Sequence, residues 1–212
     1  YENPLTVLDI ATDISEGLAR NVLSAKFNGE TVEASTRIEA DGDLRLFTWN
    51  DDEGKTAFWH SSAHVLAQSL LALYPTAKLT IGPAIENGFY YDVDFGGDSF
   101  SEKDLPALEK QFLTFAREKF AFSMRSSSKA DALAFYKAEN NPFKVELIEN
   151  LEDGTISFCD HADFTDLCRG GHIPHTGFVK AIKLLSVAGA YWRGDETKPQ
   201  LTRIYGISFP KQ

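Results

Sequence analysis

The chain has 212 residues, of which 43% are hydrophobic and 12% aromatic; this is enough apolar material for one large or two small domains and excludes wholesale disorder. It contains no long uncharged apolar run and no charged-then-apolar leader pattern, so neither a transmembrane helix nor a secretory signal is predicted. The formal net charge is −10, and residues 1–55 hold 12 acidic but only 5 basic side chains, which excludes an extended basic platform for nucleic-acid phosphates.

Residues 1–48 have the pattern of a small unit of mixed helix and strand. In chain order the pattern predicts a helix at 4–11, a short helix or turn at 15–19, and strands at 25–27, 30–32 and 44–48. Asn28-Gly29 predicts a tight hairpin between two of these strands, because both central residues of a type I′ turn need positive φ. Since few strands are visible, we expect the first strands of this domain to be absent.

A polar segment at 49–55 is predicted to link this unit to a larger domain at 56–212. A helix is expected from about Thr56 and should end before Pro75, because proline disfavours helical backbone in the residue before it. Further elements are predicted as a strand at 89–95, helices from 101 and at 128–140, a short strand or helix start at 144–148, a strand at 155–159, and strands within 181–208 interrupted at 188–190 and 193–195.

The first of these helices carries two histidines, His60 and His64. Side chains four residues apart project from one face of a helix. An apolar stripe of alanine and leucine at 63, 66, 67, 70 and 71 is expected to seat the helix against a core. Such a rigid pair can hold a metal, relay a proton or orient a substrate, and it is also compatible with two ordinary helix histidines.

A second cluster places Asp166, Cys168 and His172 within seven residues. Gly170 and Gly171 allow a tight turn that points Cys168 and His172 at one centre. With the helix pair this makes a set of three histidines and one cysteine, which suits zinc. Cys168 alone is more typical of a small buried hydrophobe. The two clusters together predict one shared site.

Four motifs occur in a fixed order along the chain: His60-Ser-Ser-Ala-His64, Ile81-Gly-Pro with Asn87-Gly-Phe-Tyr-Tyr-Asp92, Asp166-Leu-Cys-Arg-Gly-Gly-His172, and Ala188-Gly-Ala-Tyr-Trp-Arg-Gly-Asp195. Together they resemble the N-terminal part of bacterial-type threonyl-tRNA synthetases, over essentially the whole chain. The resemblance implies an α+β fold: a small ubiquitin-like β-grasp (TGS) domain without its first strands at 1–48, then a larger α+β editing domain of the SAD type with a mainly antiparallel sheet. One departure is Gly171, which stands where the family motif often has proline and which loosens the turn before His172.

The resemblance implies hydrolysis of mischarged seryl-tRNA(Thr) to serine and tRNA. Threonine and serine differ by one methyl group, and a hydrophobic contact of that size discriminates only about 10–200-fold, so a second, hydrolytic sieve is needed. The implied catalytic residues are His60, His64, Lys144, Asp166, Cys168 and His172, with Tyr91 as a wall of the substrate pocket. Lys144 fits as a cation near the ester or the terminal ribose, a histidine as the water-orienting group, and Asp166 as a partner of the serine amino group or of a histidine. Without the resemblance, Lys144 is equally typical of a solvated surface lysine and Asp166 of a loop cap.

Cofactors and partners follow from the same resemblance. Related alanyl-type editing domains bind zinc through the equivalents of His60, His64, Cys168 and His172, whereas the threonyl family implies no metal in this region. The parent synthetase would use ATP, magnesium and a zinc in a core that has no counterpart here. We expect a cytoplasmic protein, since two cysteines form no disulfide framework. The expected partners are the acceptor end of tRNA(Thr) carrying serine and the rest of a homodimeric synthetase, with no membrane.

Two alternative functions remain open from the sequence. One is a zinc-dependent editing hydrolase of the alanyl type, which uses the same four side chains. The other is a non-catalytic RNA-binding or regulatory module, which the acidity of residues 1–55 disfavours.

Overall fold

The computed structural model describes residues 4–211, so residues 1–3 and 212 of the two predicted domains lie outside the described residues. The N-terminal part contains strands β1 (Leu5–Thr6), β2 (Ser24–Phe27), β3 (Glu30–Val32), β4 (Arg37–Ile38) and β5 (Leu44–Phe47), with helices α1 (Val7–Ile14) and α2 (Glu16–Ala19). Its strands pair in the order β3-β2-β5 and, separately, β1-β4. The predicted hairpin is confirmed, with Asn28 at φ 49° and Gly29 at φ 86° between β2 and β3.

The first helix begins three residues later than predicted. Leu5–Thr6 pairs with β4, and Thr6 then caps α1. The Thr6 hydroxyl accepts a hydrogen bond from the Asp9 backbone N–H at 3.1 Å, and the Asp9 carboxylate accepts one from the Thr6 N–H at 2.9 Å. This reciprocal capping fixes the helix start at Val7.

The larger part contains helices α3 (Asp52–Leu73), α4 (Leu105–Arg117), α5 (Lys129–Ala138) and α6 (Pro142–Glu149), and strands β6 (Lys78–Leu79), β7 (Ala84–Ile85), β8 (Gly88–Asp94), β9 (Ser123–Ser126), β10 (Ser157–His161), β11 (Phe164–Leu167), β12 (Ala181–Tyr191) and β13 (Gln200–Phe209). Short 3-10 turns lie at Glu102–Asp104, Thr176–Phe178 and Trp192–Gly194. Every strand pair in the described part of the chain is antiparallel. The predicted α+β class with antiparallel sheets is therefore confirmed.

Helix α3 is longer and more central than the sequence predicted. It begins at Asp52 rather than near Thr56, so the second half of the predicted linker is helical, while the domain division itself stays a prediction. The predicted apolar stripe packs into the core, and the burial of α3 extends beyond it to most sides of the helix. Its buried serines are accommodated because the hydroxyls of Ser61, Ser62 and Ser69 donate to the carbonyls four residues earlier. The helix ends at Leu73, before Pro75, as predicted.

The main sheet has the strand order β12-β13-β8-β6, and α3 and α4 pack against it. The predicted break at 188–190 is wrong, because these residues continue β12 and pair with 201–203 of β13. The register shift lies earlier, between Leu184 and Ser186. The break predicted at 193–195 is present as a turn in which Arg193 has φ 57°.

A smaller sheet, β11-β10-β9, carries Asp166 of the second cluster and packs against α5 and α6. The ambiguous segment at 144–148 belongs to helix α6, because Pro142 occupies its first turn and the Asn141 side chain accepts a hydrogen bond from the Lys144 N–H at 3.2 Å. Within the described residues, no helix combines the length and the apolar character needed to cross a membrane.

A substitution at Gly54 can test how closely the start of α3 packs against the N-terminal part. A Cβ at this position would lie 1.9 Å from the Thr48 carbonyl oxygen. Helix propensity alone favours alanine over glycine by about 1 kcal/mol, but relieving such an overlap costs typically about 1–3 kcal/mol. We expect Gly54→Ala to lower the free energy of unfolding, measured by urea denaturation.

Gly17 in α2 is the matched control, because a Cβ there meets only the Ser15 hydroxyl at 3.9 Å. Gly17→Ala should leave the free energy of unfolding unchanged or raise it. Equal stabilities of the wild type and Gly54→Ala would contradict the close approach of α3 to Thr48.

Candidate active site

The two clusters predicted from the sequence meet in the fold. His60 and His64 project from α3, and Cys168 and His172 lie in the loop that follows β11. The His60 Nε2 atom is 3.0 Å from the Cys168 sulfur, and the His172 Nε2 atom is 3.3 Å from the same sulfur. One potential ligand atom from each of the four residues lies within 4.8 Å of the others. The roles of these side chains stay predictions.

Two glycines shape the loop that carries Cys168 and His172. Gly170 has φ 94° and Gly171 has φ 87°. Proline, whose ring fixes φ near about −65°, cannot adopt the backbone of Gly171. The departure from the family motif therefore accompanies a different turn, in which the N–H of Gly171 is free to donate.

The turn is hydrogen-bonded to Glu33 of the N-terminal part. Its carboxylate accepts hydrogen bonds from the Gly171 N–H at 2.9 Å and from the His172 N–H at 3.0 Å, and it lies 3.0 Å from the His172 Nδ1 atom. Sequence reasoning missed this residue. It is one of many acidic residues in residues 1–55, about 140 positions from its partners, and no local signal distinguishes it.

Asp166 and Lys144 form a buried ion pair beside the histidines. Lys144 is 3% exposed, which excludes a solvated surface lysine, and its ammonium lies 2.5 Å from the Asp166 carboxylate. Asp166 lies within β11 rather than capping a loop, and it also accepts hydrogen bonds from Tyr91 at 3.0 Å and Tyr136 at 3.2 Å. Burial and the Asp166 carboxylate raise the pKa of Tyr91 well above its usual value, so this hydroxyl stays protonated and donates.

The protonation states follow from burial and from the short contacts at the sulfur. Burial raises the pKa of the Cys168 thiol, but the surrounding His64, His172 and His60 rings outweigh burial and lower the pKa to about 2. Burial lowers the pKa of His172, but hydrogen bonds to Cys159, Cys168 and Glu33 outweigh it and raise the pKa well above its ordinary value. Burial lowers the pKa of His64. The site therefore favours a thiolate beside a protonated His172 and a neutral His64.

His64 has unused hydrogen-bonding capacity. Neither of its ring nitrogens has a hydrogen-bond partner within the described residues, and its Nδ1 atom lies 3.6 Å from the Asp166 carboxylate, which is too long for a good hydrogen bond. A neutral imidazole in this position can accept a proton from a water molecule or ligate a metal.

The four clustered side chains fit a zinc ion by the chemistry of their donors. Three imidazoles and a thiol of low pKa are a nitrogen and sulfur set of the kind that zinc takes. The carboxylate of Glu33 at His172 Nδ1 would leave the Nε2 atom for the metal. The Cys168 sulfur also lies within hydrogen-bonding distance of His60 and His172, so the arrangement is compatible both with a bound zinc ion and with hydrolysis by the side chains alone.

The site opens into a cleft of about 1130 Å³ between the two parts of the chain. The N-terminal part contributes Lys26 and Phe47, and the larger part contributes His64, Tyr91 and Lys144. Further cations line the cleft at Arg169 and Arg193. The cleft therefore offers basic and acidic side chains as well as the histidines to a polar ligand.

Comparisons with known proteins match both parts. The TGS domain family matches residues 2–48, and the family described as "Threonyl and Alanyl tRNA synthetase second additional domain" matches residues 156–205. Along all 212 residues the chain is 62% identical to the threonine–tRNA ligase of Flavobacterium psychrophilum and 63% identical to that of Flavobacterium johnsoniae, covering 32% of each. It is 58% identical to the threonine–tRNA ligase of Cytophaga hutchinsonii, covering 33% of it.

These matches confirm the resemblance seen in the sequence. The chain spans about one third of the length of the curated relatives that it matches. Along its whole length it is similar to part of the threonine–tRNA ligases, and it contains one region that matches the TGS domain family and one that matches the second additional domain family.

Proposed function

We propose that this chain hydrolyses seryl-tRNA(Thr) to serine and free tRNA and spares threonyl-tRNA(Thr). The observation that carries the proposal is the convergence of His60 and His64, the Lys144–Asp166 pair, and the Cys168–His172 loop on one cleft. Ester hydrolysis needs a group that takes a proton from water, cationic or N–H donors for the carbonyl oxyanion, and an anchor for the amino acid. The cleft supplies candidates for all three.

In the proposed reaction a water molecule attacks the ester carbonyl. His64 takes the water proton, because it is neutral and its ring nitrogens are uncommitted. The Lys144 ammonium, fixed by Asp166, stabilises the oxyanion. Collapse of the tetrahedral intermediate breaks the bond to the ribose oxygen, which receives that proton from His64, directly or relayed through the adjacent His60 ring, and releases serine.

The anchor for serine is the Asp166 carboxylate. Its Oδ1 atom already accepts from Lys144, Tyr136 and the Leu167 N–H, which fixes the carboxylate. Its Oδ2 atom accepts from Tyr91 and has a second acceptor site, which the serine ammonium takes. Tyr91 is equally fixed, because its ring also packs against Gly82, where an added Cβ would lie 2.1 Å from it. A rigid wall of this kind rejects the extra methyl group of threonine.

The proposed partners are the acylated acceptor end of tRNA(Thr) and the rest of a homodimeric synthetase, in the cytoplasm. Lys26, Arg169 and Arg193 line the cleft and suit the few phosphates of a flexible single-stranded end. Lys26 also pairs with Glu53 and Arg193 with Glu146, so a phosphate there would compete with these carboxylates. With a net charge of −10, the chain alone should hold tRNA weakly. We further propose that the parent synthetase uses ATP, magnesium and a zinc ion in its catalytic core.

Zinc-dependent hydrolysis is a second candidate, favoured by the close approach of the four donor atoms. His60, His64, Cys168 and His172 would hold the ion, and zinc when bound would lower the pKa of a water molecule and polarise the ester. Lys144 and Asp166 would keep the binding roles described above.

Deacylation assays test the main proposal. Seryl-tRNA(Thr) and threonyl-tRNA(Thr) are incubated separately with the chain, and release of the amino acid is followed. We expect loss of the serine ester only, and His60→Ala and Cys168→Ala should each slow it by at least about 100-fold, the scale of general acid–base groups. His175→Ala is the control, because His175 contacts Phe178 outside this cleft. Equal hydrolysis of both esters, or of neither, would overturn the proposal.

Metal analysis separates the two candidates. For hydrolysis by the side chains alone, we expect the purified chain to contain no stoichiometric zinc and to keep its activity after dialysis against a chelator. One zinc per chain, absent from His60→Ala but present in His175→Ala, together with activity that the chelator abolishes, would favour the zinc-dependent reaction instead.

A further inference from the structure

A carboxylate of the TGS domain lies directly against the site in the second additional domain. Glu33 follows β3, and its side chain is 15% exposed. It lies next to His172, which is fully buried. The contact spans 139 positions of sequence and joins the two domains at the loop that carries two of the proposed catalytic side chains.

Glu33, His172 and Cys168 form a continuous line of hydrogen-bonding groups. The Glu33 Oε1 atom is 3.0 Å from His172 Nδ1, and His172 Nε2 is 3.3 Å from the Cys168 sulfur. Since a carboxylate can only accept, the proton of this contact lies on Nδ1. The ring is thereby fixed in one orientation, with Nε2 directed at the sulfur. An acid that holds an imidazole towards a nucleophile or anion acts in this way in catalytic triads.

The loop backbone reinforces the same contact. The consecutive N–H groups of Gly171 and His172 both donate to Glu33, one to each carboxylate oxygen. This requires the positive φ of 87° at Gly171 and an N–H at that position, and proline offers neither. The hydrogen bonds between the loop and Glu33 therefore depend on glycine at position 171 as well as on the carboxylate at position 33.

We propose that Glu33 is a positioning residue for hydrolysis and that the TGS domain thereby completes the site. Glu33 itself does not line the cleft, so it acts through His172 and not on the substrate. The proposal rests on the proposed function, because positioning matters only for a site that reacts. A merely structural contact that fastens the two domains would instead stabilise the fold without setting the orientation of His172.

Glu33→Gln separates these two roles. Glutamine has nearly the same shape but only one acceptor oxygen and no charge, so it cannot serve both backbone N–H groups and the Nδ1–H. We expect kcat for seryl-tRNA(Thr) to fall about 10–100-fold, as is usual when a group that orients a ligand or catalytic imidazole is removed. KM should stay unchanged, because the cleft lining is intact. Glu33→Asp keeps the charge but has a shorter side chain, so its kcat should lie between those of the wild type and Glu33→Gln.

Glu30→Gln is the matched control. Glu30 lies on β3, three positions before Glu33, and is exposed. The substitution removes the same charge from the same hairpin without touching the loop, and it should leave kcat at the wild-type value. Equal losses of kcat in Glu30→Gln and Glu33→Gln would show a general charge effect and overturn the proposal.

Imidazole nitrogen NMR of the substrate-free chain gives a readout independent of activity. The His172 signal is assigned by its loss in His172→Asn. We expect a protonated Nδ1 with a downfield N–H proton in the wild type and in Glu30→Gln, and a loss or upfield shift of that proton in Glu33→Gln.

If Glu33→Gln lowers the unfolding temperature but leaves this signal and kcat unchanged, Glu33 only fastens the domains, and the proposal is overturned. If the wild type shows no deacylation, the proposed function fails, while the NMR signal still decides whether Glu33 sets the state of His172.

Discussion

The ion pair between Asp166 and Lys144 lies almost wholly out of water, at 4% and 3% exposure. Removing one partner of such a pair leaves an uncompensated buried charge and costs about 3–5 kcal/mol. In the intact pair the cost of burying the two charges is offset by their attraction and by the hydrogen bonds that the carboxylate accepts from Tyr91 and Tyr136. The four groups come from β11, β8, α5 and α6. The pair therefore ties the small sheet and its helices to the main sheet at the point where the site forms.

Helix α3 supplies the second fixed element of the site. Because it is buried on most sides, its two imidazoles cannot move without disturbing the core around it. Its buried serines satisfy their hydroxyls within the helix, or across to β13 as Ser62 does with Ser208 at 2.7 Å. The helix can therefore sit at the centre of the domain without buried hydroxyls lacking partners. A rigid scaffold of this kind suits a site in which proton transfers depend on tenths of an ångström.

The N-terminal part and the larger part both line the cleft. Trp49 packs edge-on against Phe58 at 4.9 Å, and Glu33 reaches the loop that carries Cys168 and His172. The acidic excess of residues 1–55 includes Glu33, whose carboxylate accepts from two N–H groups of the loop, and Asp52 and Glu53, which line the cleft beside Lys26.

Local sequence signals determined much of this protein. The hairpin at Asn28-Gly29, the end of α3 before Pro75 and the two chemical clusters were all predictable, because each depends on residues that are neighbours in the chain. The four ordered motifs likewise identified the family from sequence alone. The break expected at 188–190 was wrong because pairing with β13 overrides the weak strand preference of glycine.

Tertiary structure decided what distant residues do together. Three features result from packing between segments up to 139 positions apart: α3 is buried on most sides, Lys144 is buried and paired, and Glu33 contacts His172. No periodicity or spacing encodes such contacts, because a hydrogen bond depends on where the folded chain places its donors and acceptors. The sequence determined which side chains were available for chemistry, and the fold alone decided their burial, their charge and their orientation.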